Sequence, residues 1–315
     1  KQKTAYEISL GLVGSEMCIR DSCYALLWKR AHLCALSLRL LPPQLLHPSI
    51  KECTKGAGGR RPLDPHLWRR AMAASIMGVG GGGWAQRIRV PADWVCIRPE
   101  GLSARAAMQL GTAGLTAAMA TEAIVQGQVE PGSGPVLVTG ATGGVGLLSV
   151  ALLSHLGYQV VASTGKVDQH QVLTRMGATE IIDRDEVLRD ADGPLASARW
   201  AAAVDVVGGD TLSAIIRTTR PQAVVAACGL VGGVDITATV YPFLLRGVTL
   251  AGIDSAGCPG PLRTELWNRL ADAWALEGLD EITHEVSLDQ LDTSIALMGN
   301  GDHIGRTIVR LAVDD

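Results

Sequence analysis

Pro135-Val136-Leu137-Val138-Thr139 runs into Gly140-Ala141-Thr142-Gly143-Gly144-Val145-Gly146, then Leu147-Leu148-Ser149-Val150-Ala151-Leu152-Leu153-Ser154-His155-Leu156-Gly157, and finally Tyr158-Gln159-Val160-Val161-Ala162. The order is strand, glycine turn, helix, strand. A short β-branched run bounded by glycine reads as a buried parallel strand. Leu147, Leu148, Ala151, Leu152 and Leu156 recur at helical spacing, and Gly157 stops the helix. A diphosphate held here needs backbone N–H groups and a helix N-terminus aimed at it, and side chains would hold it off. Gly143 and Gly146 fit the second and third positions of the dinucleotide fingerprint, and Ala141 stands at the first. No charged residue lies between Glu130 and Lys166, but eight glycines interrupt that interval, and no apolar segment reaches the ~20 residues a membrane span requires.

Outward from this unit the pattern repeats. Val167 to Gly177 reads as a helix, Glu180 to Ile182 as a strand, Ala201 to Val207 as a strand and Thr211 to Thr219 as a helix. Ala223 to Ala227 and Val248 to Ile253 read as further strands. Alternating strands and helices predict an α/β fold, a doubly wound parallel sheet with its ligand across the carboxyl ends of the strands. The strand ends then offer cofactor contacts: Thr139, Gly140, Gly143, Gly144, Val145 and Gly146 in the turn, Ser163 and Thr164, Asp205 to Gly208, Cys228, Gly229 and Leu230, and Asp254 and Ser255. Upstream, Ser103 caps a helix, and an alanine-rich helix follows Gly111; Thr112 is placed as a cofactor contact and Thr116 as helix packing. Pro261 to Glu277 reads as an amphipathic helix with Trp267 and Trp274 in the core, and Gly305 to Val309 as a closing strand.

Composition is ordinary for a globular protein of one or two domains: 315 residues, 47% hydrophobic, 19% charged, net charge −3. So neutral a balance gives no field for nucleic acid or a membrane. Four of the seven cysteines lie before residue 54, and Cys96, Cys228 and Cys258 have neither metal-ligand nor disulfide spacing, so no metal and a reducing, cytoplasmic compartment are expected. Residues 1–22 resemble a conceptual translation of synthetic sequencing-adapter DNA and are set aside from fold reasoning. Residues 23–76 carry nine Lys and Arg against Glu52 and Asp64 and keep no helical or strand period, so poor order is expected. Residues 77–102 contain a glycine run and an alternating strand, Trp84 to Val90.

From Trp84 to about Leu311 the chain resembles the zinc-independent medium-chain dehydrogenase/reductase superfamily, and within it the acryloyl-CoA reductase group that overlaps with quinone oxidoreductases. The resemblance rests on Gly111-Thr112-Ala113-Gly114, Thr139 to Gly146, Val225 to Leu230, Leu250 to Ser255 and Gly305-Arg306-Thr307. It implies that 77–102 is the remnant of a GroES-like catalytic domain, 103–260 the Rossmann domain, and 261–315 a C-terminal helix and closing strands. The family's Asn-Tyr-Lys-Asp stretch and early Pro-Gly-Ile-Asp turn are absent before residue 77, so no catalytic residue is assigned and turnover is expected to be impaired. The implied reaction is conjugate reduction of an enoyl thioester such as acryloyl-CoA, or of a quinone; a homodimer is compatible with it.

A short-chain dehydrogenase would need a Tyr-x-x-x-Lys pair. Tyr158 and Tyr241 are followed four positions on by Ala162 and Leu245, which removes that rival. A zinc alcohol dehydrogenase would need Cys and His ligands in the N-terminal half, and no such set is present. A non-catalytic nucleotide-binding protein stays as the alternative. An NAD site usually places an acidic residue about 20 residues after the glycines. Here Ser163-Thr164-Gly165-Lys166 offers hydroxyls and a cation, which predicts NADPH with Ser163 and Lys166 on its 2′-phosphate.

Overall fold

The computed structural model describes residues 71–72 and 96–311. The expectations for 1–22, for most of 23–76, and for the glycine run and strand before Val90 lie outside the described residues. Ala71–Met72 (β1) pairs antiparallel with Cys96–Ile97 (β2). Helix α1 (Ala104–Gln126) follows, capped as expected: the Ser103 hydroxyl accepts the Ala106 N–H at 3.0 Å. The two helical segments foreseen here form one element with a break at Gly111, whose φ of 50° and ψ of −146° suit glycine.

The central unit continues with β3 (Val136–Val138), α2 (Gly144–His155), β4 (Val160–Ser163), α3 (His170–Arg175), β5 (Glu180–Ile182), α4 (Arg184–Leu188), β6 (Trp200–Asp205), α5 (Gly209–Thr218), β7 (Thr219–Ala227), α6 (Tyr241–Arg246) and β8 (Thr249–Gly252). The six strands from β3 to β8 form one parallel sheet in the order β5-β4-β3-β6-β7-β8. Strand order reverses between β3 and β6, and that reversal opens a crevice at their carboxyl ends.

Alternation along each strand builds two cores. Val136, Val138, Val160, Ala162, Val204 and Ala226 face the layer made by α1 and α2. Leu137, Val161, Ala203 and Val225 face the opposite layer with Leu212, Ile215 and Ile216 of α5. Helix α2 is buried from Gly146 through Leu153, which explains its apolar residues on every side. The long uncharged interval is therefore a covered strand–helix unit, and no helix among the described residues is long and apolar enough to cross a membrane.

Most boundaries agree within about three residues of the sequence reading, and two differ by more. Strand β7 begins at Thr219 rather than Ala223: Pro221 and Gln222 are exposed, and a register shift against β6 between Trp200 and Ala202 absorbs them. Helix α7 (Gly260–Ala271) is shorter than foreseen, because Asp272 leaves helical geometry at φ −136°, ψ −101°. Trp267 and Trp274 are buried in the core that α1 and α2 share. Beyond α7, β9 (Thr283–Ser287), α8 (Leu291–Gly299) and β10 (Arg306–Arg310) follow, with β9 and β10 paired in parallel.

Candidate cofactor-binding site

Three glycines of the turn do three different jobs. Gly140 has φ 55°, and a Cβ there would lie 2.6 Å from Val206 Cγ2, so the chain turns against the loop after β6. A Cβ on Gly146 would stand 2.3 Å from Gly140 O and 2.8 Å from Ala141 Cα, so this position sets how closely α2 meets β3. Gly143 differs: a Cβ there would meet only Gly140 O, at 3.4 Å. It is also the N-cap of α2 and gives no side-chain hydrogen bond to that helix. The face over Gly143 is thus an open cradle at a helix start, which fits the diphosphate of a dinucleotide. Ala141 is fully buried, its methyl part of the core, so alanine serves at the first fingerprint position.

The neighbouring strand ends converge on this cradle. Thr139 Oγ1 donates to Asp205 Oδ1 at 2.6 Å and accepts the Val206 N–H at 3.1 Å, across the crevice between β3 and β6. Cys228 N donates to Asp205 O at 2.9 Å, and burial first, then the Asp205 charge, push its thiol up to about 12. That thiol is no nucleophile at neutral pH. A Cβ on Gly229 would lie 2.1 Å from Val206 O, which accounts for glycine there. Leu230 O accepts from Gly233 N at 3.1 Å and holds the next turn. Val145 is half-buried against the core beneath the helix start. Asp254 is exposed and accepts the Gly257 N–H at 2.9 Å, while Ser255 is buried. Thr112 lies just past the Gly111 break, its carbonyl taken by the Thr116 hydroxyl at 2.8 Å, and Thr116 is wholly buried in packing.

At the end of β4, Ser163 and Thr164 are buried, and Thr164 Oγ1 lies 3.4 Å from Thr142 Oγ1 and accepts the Lys166 N–H at 3.1 Å. Lys166 Nζ donates to His303 O at 3.0 Å. Burial lowers the Lys166 pKa; Asp302 and Asp168 oppose that fall, and Arg184 adds to it. Arg184, at the end of β5, lies over Gly165, where a Cβ would be 2.5 Å from its Nη2. Of the acidic residues around it in sequence, Asp183 caps α4, and Glu186 accepts the Asp183 N–H at 3.4 Å. Arg306 is a third cation, beside the cradle. Its Nε donates to Gln109 O at 2.7 Å, and its guanidinium stands 3.0 Å from where a Gly144 Cβ would be and 2.9 Å from a Gly111 Cβ. The sequence reading names neither arginine as a site residue, because nothing local in sequence joins residue 184 or 306 to residues 143–166.

The sheet order, the cradle and the cations around it are those of a dinucleotide-binding unit. A family model described as zinc-binding dehydrogenase matches residues 144–272. Acrylyl-CoA reductase AcuI of Ruegeria pomeroyi is 45% identical over 228 residues, which are 72% of this chain and 69% of that protein. The crystal structure of the yhdH oxidoreductase from Salmonella enterica in complex with NADP superposes with a TM-score of 0.71 at 40% identity, over 73% of this chain and 71% of that one. Bacillus subtilis yhfP with NAD bound gives a TM-score of 0.69 at 42% identity, over 70% of this chain and 68% of the other. The chain belongs to the medium-chain dehydrogenase/reductase family. Among the described residues, no group of three or more His, Cys, Asp or Glu is placed to hold a metal ion.

Proposed function

We propose that the protein is an NADPH-dependent reductase of the carbon–carbon double bond of an α,β-unsaturated thioester such as acryloyl-CoA, with a quinone as the alternative acceptor. The observation that carries the cofactor choice is the paired cations at the ends of β4 and β5. Lys166 is held by the His303 carbonyl at 3.0 Å, and Arg184 lies across Gly165, where an NAD site would place a carboxylate. Lys166 and Arg184 then hold the 2′-phosphate, with Ser163 and Thr164 shaping the strand end beneath it. The α2 N-terminus over Gly143, with Arg306 beside it, holds the diphosphate. Thr112 on α1, with Cys228, Gly229, Leu230, Asp254 and Ser255 in the remaining strand-end loops, orients the nicotinamide half. When bound, NADPH supplies a hydride to the β-carbon of the acceptor, leaving negative charge on the carbonyl oxygen and a proton to be added at the α-carbon. The chain's own part is to fix the approach and keep water out.

In the same reading, residues 103–260 are the cofactor-binding unit, 261–315 complete its core, and 77–102 belong to a GroES-like domain. Binding is then separable from turnover, which is expected to be impaired in this chain. A cytoplasmic setting, where Cys96, Cys228 and Cys258 stay reduced, belongs to it too. So does a homodimer through the side of β8 that pairs with no strand among the described residues, with Val240, Leu244 and Leu245 of the preceding segment exposed. The test of function is NADPH oxidation with acryloyl-CoA and with a simple quinone, run beside NADPH binding. Oxidation specific to the thioester supports the main reading, and specific to the quinone the alternative; binding with neither acceptor turned over supports the cofactor site and contradicts activity of this chain.

A further inference from the structure

Asp205 closes β6 at the crevice between β3 and β6, and it is fully buried. Its two carboxylate oxygens take three donors: Thr139 Oγ1 at 2.6 Å and Val207 N at 3.3 Å on Oδ1, and Gly208 N at 2.8 Å on Oδ2. Its carbonyl takes Cys228 N at 2.9 Å and the Cys228 thiol at 3.4 Å. It enters no ion pair among the described residues. Burial raises its pKa, while the Thr139 hydroxyl and the Gly208 and Val207 N–H groups hold it down. A buried charge balanced only by neutral donors costs stability, so a purely structural site would be better filled by an apolar or neutral side chain.

The three donors come from both lips of the crevice. Thr139 directly precedes the glycine turn. Val207 and Gly208 form the loop after β6, which continues into Gly208 and Gly209 at φ 76° and 55° and is locked to the loop after β7 by Gly232 N on Val207 O at 2.7 Å. The carboxylate therefore ties the end of β3 to the loop after β6, and the Asp205 carbonyl ties the end of β6 to the end of β7 through Cys228. Asparagine has the same shape, but its amide would set N–H against N–H at one of these donors.

We propose that Asp205 is a positioning residue for the cofactor: through Thr139, Val207 and Gly208 it sets the width of the crevice in which the dinucleotide lies. This rests on the NADPH reading above, and it gives Asp205, whose strand-end position suggests a direct cofactor contact, an indirect role through its hydrogen-bond partners. The Thr139 hydroxyl is the transmitting group, because it both donates to Asp205 and accepts from Val206 N.

The experiment compares the full chain with Asp205→Asn, Thr139→Val, Thr139→Ser and the double variant Asp205→Asn/Thr139→Val, measuring NADPH binding by fluorescence and the melting temperature without ligand. Asp205→Asn and Thr139→Val should each bind about tenfold more weakly or worse. Thr139→Ser, which keeps the hydroxyl, should stay within about threefold of the parent, and the double variant should be no worse than about the weaker single one. Loss of affinity should exceed what the change in melting temperature accounts for. Asp205→Asn that binds within about twofold of the parent, or Thr139→Ser as weak as Thr139→Val, overturns the inference. If Asp205→Asn does not fold, the two threonine variants decide. A parent chain that binds no NADPH would overturn the cofactor reading and this inference with it, whereas unchanged variants of a binding parent overturn the inference alone.

Discussion

Gly143 and Gly146 stand three residues apart in the same turn, yet their substitutions should fail in different ways. A Cβ on Gly143 meets only Gly140 O at 3.4 Å, so Gly143→Ala should fold with an unchanged melting temperature and lose NADPH affinity, since its methyl occupies the diphosphate's place. Gly146→Val would drive its Cβ to 2.3 Å from Gly140 O and wedge α2 off β3. It should cost about 3 kcal/mol or more in stability, with binding lost as a consequence. Thermal melts paired with NADPH titrations separate the two; equal melting losses would contradict the assignment. At the strand end, Lys166→Ala and Arg184→Ala should each weaken NADPH about tenfold and leave NADH unchanged, and equal loss for both cofactors would remove the pair from the 2′-phosphate. His155, whose Nε2 lies 3.0 Å from Ala273 O, joins α2 to the segment after α7. His155→Ala should cost at most about 1 kcal/mol and leave binding intact.

Among the elements, the sheet was readable because its strands are apolar runs cut by glycine, and the period of two sorts Val136 and Val138 from Leu137 without any tertiary information. The turn was readable for the same reason: close approach demands glycine at fixed spacing. Three features were not. The break at Gly111 lies inside one long helix and pairs with Arg306, a contact across 195 residues of chain. Arg184 reaches Gly165 only because β5 lies beside β4. Asp205 looked like one polar strand end among several, and its weight comes from burial. The pair β9–β10 with α8 escaped apart from its last strand, since its residues are only half-buried and show no strong period. That unit carries a pH-sensitive group. His303, with Nε2 2.9 Å from Thr307 Oγ1, lines a cavity of 420 Å³ together with His284, Gln290, Thr293 and Thr307. Burial first, then Arg306, His284 and Lys166, lower its pKa from 6.5 to about 4. The unfolded chain thus binds a proton in that window and the folded one does not. Stability from this residue is complete above pH 6.5 and is lost as the pH falls to about 4. Melting temperature should drop on acidification across that range, and His303→Gln should flatten the drop; an unchanged profile would contradict it.

At the scale of the whole molecule, binding and chemistry separate. The groups proposed to hold the cofactor lie between Thr112 and Arg306, most of them at the carboxyl ends of the six-stranded sheet, with Thr112 on α1 and Arg306 on β10, while Trp267 of α7 and Trp274 beyond it complete the core. In the proposed reading the described residues supply the cofactor contacts, and none of them is given the task of stabilising the acceptor's carbonyl oxygen. The most direct measurement is a calorimetric titration of the full chain with NADPH and with NADH under the same salt and pH. The account predicts NADPH binding at least about tenfold tighter than NADH, with the difference abolished in the Lys166→Ala/Arg184→Ala double variant. Equal affinities, tighter NADH, or no binding of either would contradict it.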